Sequence, residues 1–483
     1  MIDQDITDAD FIGLVRRYKP SSLVPLIAEV GAQYAHKGSW LEGEGFGLTP
    51  WALSDIARVS LVAGNEFRRD ATRGDVIDCA KAYLATRDPE LESGQPGAIE
   101  GFFLRLGHEQ MPLQQSPEGE IVRSTAMFEQ TPPRLSPKVI KPGWDVELLG
   151  CTLSQYVGIG FMVYAIAYQH RGRFSTRWFD LPGLEKITSE IPVDVMRRVL
   201  DQQFTGDREF FRSDRSNENN VSPFRRFTYN PLLGRPVVSG IGNELLVPVP
   251  GQVVRKISPQ GIWYAGVCEW GKAFADDVGD LFQEYVGRLL STIPDAQLHR
   301  EIEYAKGQNR SVDWIVVWDN LVLLVEVKAA RSTEHIRKGA PEAWGELAEK
   351  LGRAHVQISK TDEKIAERHS KFSHVPQNLP RIGLIVTMEP YPFIDAEMIR
   401  SMIGASPAVP TRGCSCNVLE WLVRLKDRSL GEYLLDFMND PSKEGWELDA
   451  DMPGIEVGPN PVFEDAWNSY KWSPRPEPGT GEP

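Results

Sequence analysis

The most constraining stretch of this 483-residue chain is a pair of apolar runs, VDWIVVW (312–318) and LVLLVEVK (321–328), joined by Asp319 and Asn320. Runs this short and this apolar read as central strands, and the two polar residues between them as a tight hairpin. The second run ends on charge. Glu326 and Lys328 stand two residues apart, so their side chains share one face of the strand and Val327 takes the other. Desolvated alone, a charge there costs roughly several kcal/mol, so a partner is required. Asp313, near the start of the neighbouring strand, is the candidate.

Two carboxylates in one cleft repel each other, and a divalent cation resolves the repulsion. Mg2+ (or Mn2+) takes hard oxygen ligands and retains waters that can attack phosphorus. Lys328 would then orient or deprotonate such a water and offset the charge that develops. Upstream, KAFADDVGDLFQEYVGRLLSTI (272–293) sets Phe274, Val278, Leu281, Phe282, Tyr285, Val286 and Leu289 on one helical face. QLHREIEYA (297–305) alternates as a further strand; downstream come a helix from Pro341 to His369 and a strand, RIGLIVTME (381–389).

This order, with Asp313 in SVDWIVV and Glu326-Val327-Lys328 in LLVEVKA, resembles the PD-(D/E)xK nuclease superfamily, the restriction-endonuclease-like fold, over residues 270–392. The resemblance implies an α/β/α core with a mixed central sheet. It also implies Mg2+-dependent hydrolysis of phosphodiester bonds, with DNA as the partner. Carried over, the family roles make Asp313 and Glu326 metal ligands, the Val327 carbonyl a further ligand, and Lys328 the residue serving the nucleophilic water. Two positions depart from the family pattern. Val312 stands where relatives have proline, and Gln283 stands where many have a helix glutamate; Glu284 lies about 100° further around that helix. Gln357 and Lys360 match positions that line the substrate groove in some relatives. Such domains, fused to unrelated modules, occur in bacterial restriction or antiphage systems. The alternative is a non-catalytic nuclease-fold module serving nucleic-acid or partner-protein binding; a partner protein or a homo-oligomer is expected beside DNA.

The length calls for two or three domains. The expected division is a mostly helical part of unknown role (1–235), the nuclease-like domain (236–405), and a helical then acidic, proline- and glycine-rich extension (406–483). The expected fold class is therefore α+β or mixed α/β, with Thr49-Pro50 starting one of the N-terminal helices. With 53 basic against 67 acidic side chains the net charge is −14, which excludes a chain that coats nucleic acid through bulk charge. A polyanion surface must be local. Residues 197–235 hold eight arginines, no lysine and six aromatics, which makes Arg225 and Arg226 candidates for it. The competing expectation is a domain junction whose arginines pair with the segment's own acids, Asp201, Asp207, Glu209, Asp214 and Glu218. Residues 148–169 carry no formal charge, but Ser154, Gln155, glycines and tyrosines dilute them, so a buried helix is expected and no membrane. Five cysteines without a CxxC pair, and an N-terminus without a signal layout, fit the cytoplasm.

Overall fold

The computed structural model describes residues 6–37, 48–91, 93–114, 116–130, 132, 134–213, 224–329, 331–404, 408–450 and 452–473. The chain is mixed α/β: helices dominate the first half, and a five-stranded sheet sits in the second. Helix α1 (Pro50–Ala63) starts as its sequence demands, with the Thr49 hydroxyl accepting from the Ala52 amide and Pro50 in the first turn. The uncharged segment forms helix α2 (Leu153–Gln169), and Trp144–Gln169 is the one described segment long and apolar enough to cross a bilayer. Here it packs as a core helix. Ile257 of helix α3 (Pro250–Ile257) presses so close to Gly160 that an added Cβ would lie 2.4 Å from it. On Gly158 the neighbours are Ile191 and Trp472.

The sheet follows helix α4 (Lys272–Leu290). Its strands are β1 (Gln297–Arg300), β2 (Trp314–Val317), β3 (Val322–Lys328), β4 (Arg381–Thr387) and β5 (Thr411–Ser415), ordered β5-β4-β3-β2-β1. The hairpin forms as expected, with β2 antiparallel to β3 and the Trp318 amide donating to the Leu321 carbonyl. β1 pairs antiparallel with β2, whereas β3, β4 and β5 run parallel. Period-2 alternation sorts the strands' apolar side chains onto two faces. Trp314, Val316, Leu323 and Val325 meet Phe282, Val286 and Leu289 of α4. Ile315, Val317, Val322 and Leu324 meet Ala354, Ile358 and Ile365 of helix α5 (Arg353–Ala366). Gly287 gives the Trp314 ring its room, since a Cβ there would sit 2.0 Å from it.

Two expected boundaries do not describe the packing. One hydrophobic core runs without a break from the 121–204 helices through α3, α4 and the sheet to residues 414–472, so it crosses both 235 and 405. Strand β5 lies beyond 405 yet belongs to the central sheet, where a polar run, TRGCS, is held by parallel pairing to β4. The acidic extension docks through its aromatics: the Tyr470 hydroxyl donates to the Ile121 carbonyl and Trp472 Nε1 to that of Ser154, each at 2.8 Å. The rest of that expectation, 474–483, lies outside the described residues.

Candidate active site

The register of the hairpin brings the expected acids together. Trp314 pairs with Val325, so one rung further Asp313 stands opposite Glu326. Both belong to the α5 face, as does Lys328, while Val327 packs into the core on the α4 side. One Asp313 oxygen, Oδ2, accepts the Val327 amide at 2.7 Å. Lys328 Nζ lies 2.5 Å from Glu326 Oε1. Glu326 is 6% exposed, and its second oxygen, Oε2, is buried with no hydrogen-bond partner among the described residues. Burial and then the Glu326 charge push the Asp313 carboxyl up to about 7. Burial raises Glu326 as well, against the opposing pull of Lys328. The two acids repel each other in a desolvated cleft, and the one nearby ammonium does not complete the set.

A backbone irregularity aims Asp313. Residue numbers of paired positions add to 614 between β1 and β2 (297 with 317), but to 613 in the short hairpin beyond (303 with 310). One extra residue is therefore accommodated among 311–313, the signature of a β-bulge, which bends a strand and redirects a side chain. The bulge leaves backbone groups without ladder partners, and α5 supplies them. Gln357 Nε2 donates to the carbonyls of Arg310 (2.7 Å) and Ser311 (2.8 Å). One turn along, the Thr361 hydroxyl accepts the Val312 amide at 3.0 Å and donates to the Gln357 carbonyl. A proline at 312 would have no N–H for that bond.

Several expected site residues take other parts. Gln357 has its amide nitrogen engaged as a clamp on the bulge. Gln283 and Glu284 sit on α4, across the sheet from the face that carries the acids, and no hydrogen bond or ion pair joins either to Asp313, Glu326 or Lys328. The Gln283 carbonyl accepts from Trp314 Nε1 at 3.0 Å. The Glu284 carboxylate is occupied by the guanidinium forks of Arg300 and Arg134. Arg225 is a further correction: at 1% exposure it offers no surface to a polyanion, because it forms paired hydrogen bonds to Asp8 and Asp55. Arg226 is likewise engaged by both oxygens of Glu109. Both arginines are paired, but not with the segment's own acids as the junction expectation has it: their partners are Asp8, Asp55 and Glu109, all from outside 197–235. Arg215 lies outside the described residues. Lys360 is exposed, with no ion pair to a described residue.

Thr361 and Glu301 also belong to the site, with no signal in the sequence pattern to mark them. Glu301 follows β1 directly, and its charge is felt at Glu326; burial raises its own carboxyl, Arg310 opposes that rise, and Asp313 adds to it. Its alternating context, HREIEY, carried no sign of this. Among the described residues no three His, Cys, Asp or Glu side chains gather at ligating distance. The two carboxylates that the structure brings together, and that could hold a cation, are Asp313 and Glu326, hard-oxygen donors of the kind Mg2+ supplements with water. The unpartnered Glu326 Oε2 is the structural sign of that fit. Comparison of the chain with protein-family models, with curated proteins and with solved structures finds no match.

Proposed function

We propose that the protein is a Mg2+- or Mn2+-dependent nuclease of the PD-(D/E)xK type that hydrolyses phosphodiester bonds in DNA, within a bacterial restriction or antiphage system. The observation that carries this reading is the meeting of Asp313, Glu326 and Lys328 at adjoining strand ends, with Glu326 Oε2 buried and unpartnered. The mixed sheet, with α4 on one face and α5 on the other, supports a restriction-endonuclease-like core.

In this reading the Val327 amide fixes one Asp313 oxygen and leaves the other for a ligand. Bound there, Mg2+ would supply a Lewis acid that polarises a phosphate oxygen and lowers the pKa of a water. Lys328, held beside Glu326, donates a hydrogen bond that orients the attacking water, and its charge offsets the negative charge gathering on phosphorus. Gln357 and Thr361 position Asp313 through the bulge. Lys360, exposed on α5, would give a polyanion a cationic contact, as would Arg310 on leaving its exposed pairs with Glu301 and Glu303.

The test incubates the full chain with plasmid DNA, linear DNA and RNA plus Mg2+ or Mn2+, beside Lys328→Ala and Asp313→Ala. The expected result is DNA cleavage by the wild-type chain and loss of about 10³-fold in rate in each variant. Equal cleavage by all three proteins, or none by the wild type, overturns the assignment.

A further inference from the structure

Away from the acid cluster, a cavity of about 480 Å³ opens between the N-terminal helices and the carboxyl ends of the parallel strands. In open α/β sheets that edge is where ligands bind, and the volume lies in the small-molecule range. All three parallel strands lead into it: Arg331 comes three residues after Lys328 of β3, Glu389 follows β4, and Cys416 follows β5.

The walls hold more positive charge than the fold uses. Four guanidiniums, of Arg123, Arg255, Arg331 and Arg337, face two carboxylates, Glu120 and Glu389. Arg123 is satisfied by Glu120 and Glu420, and Arg331 pairs with Glu389 at 2.8 Å. The guanidinium of Arg255, on α3, makes no hydrogen bond or ion pair to any described residue, although its side chain lines the cavity. Arg337, on the short helix Glu334–Lys338, has one bond, to the Tyr264 hydroxyl at 3.3 Å, and no carboxylate. The surplus registers on a neighbour: burial, then Arg337 and Arg255, push the His108 imidazole down to about 3. Two guanidiniums arriving from separate elements suit an anion with several oxygens, as phosphate has, and arginine is the side chain whose planar fork matches it. Next to them the wall is flat and apolar, formed by Tyr264, Pro250 and Pro259.

We propose that this cavity binds a phosphate-bearing organic anion of nucleotide size, its phosphate on Arg255 and Arg337 and its ring along Tyr264 and the two prolines. The site does not depend on the nuclease reading.

The test measures binding to the full chain by calorimetry and thermal shift in EDTA, so that cation binding at Asp313 plays no part. The probes are AMP, adenosine and inorganic phosphate. AMP is expected to bind and raise the melting temperature, with adenosine and phosphate each weaker by about tenfold or more. Arg255→Met and Arg337→Met are expected to weaken AMP by a similar factor, and Arg255→Met to leave the unliganded melting temperature unchanged or higher, since it removes a buried guanidinium that no described residue hydrogen-bonds. Asp313→Asn should bind AMP as the wild type does. No AMP binding at about 1 mM, affinity for inorganic phosphate equal to that for AMP, or AMP affinity untouched by both arginine changes overturns the proposal. Should either methionine variant fail to fold, Arg255→Lys and Arg337→Lys, which keep charge but lose the fork, give the same readout.

Discussion

Arg225 and Glu326 are both buried charges, and the protein treats them in opposite ways. Around Arg225, Asp8 and Asp55 together take up all three guanidinium nitrogens. Around Glu326 one oxygen has Lys328, the other accepts no hydrogen bond from a described residue, and the acid opposite it, Asp313, is a competitor. A complete set of partners marks a charge that holds elements together, here two N-terminal helices and the 225–227 turn. An incomplete one, beside a second carboxylate, marks room for something that the chain does not itself provide.

The largest effect should come from breaking the complete set. Arg225→Ala strands Asp8 and Asp55 and should cost about 3–5 kcal/mol in urea unfolding; a loss under about 1 kcal/mol would show that the knot is no more than decoration. Completing the incomplete set comes next. Mg2+ at about 100 times its Kd should stabilise the chain by about 2.7 kcal/mol, seen as a higher melting temperature. Glu326→Gln should remove that response; a response retained in full would move the cation elsewhere.

A smaller effect tests the repulsion itself. The Asp313 carboxyl, raised to about 7 when folded, titrates near 3.9 when unfolded. Between those values the folded state holds the extra proton, so metal-free stability is present at about pH 4 and is lost as pH rises through about 7. Asp313→Asn, which keeps an acceptor for the Val327 amide, should therefore stabilise the metal-free chain by about 1–2 kcal/mol at pH 8. The gain should vanish towards pH 4, and a gain independent of pH would refute the cause. Smallest of all, Gln357→Ala leaves the carbonyls of Arg310 and Ser311 without their donor and should cost about 1 kcal/mol of stability. It should also slow cleavage without changing the Mg2+ response, measured as kcat beside thermal shift.

The acid cluster was legible because strand alternation and a two-residue turn together set register, and register set who faces whom. Arg225 was misleading for a related reason: arginines among aromatics look alike in sequence whether they face water or acids brought in from far along the chain, such as Asp8 and Asp55. The bulge was invisible because it is an offset between two pairings, and no single strand records it.

From its residues alone the chain determined the hairpin, the helix that Thr49 caps, the buried character of 153–169, and the shared face of Glu326 and Lys328, since each follows from local geometry and the period of the backbone. Only the tertiary structure decided that Gln357 grips the backbone before Asp313, that Arg225 is satisfied, that β5 joins the sheet, and that Arg255 is left facing a cavity. Those outcomes depend on which distant groups arrive to fill hydrogen-bonding capacity, and that is settled by packing rather than by sequence neighbours.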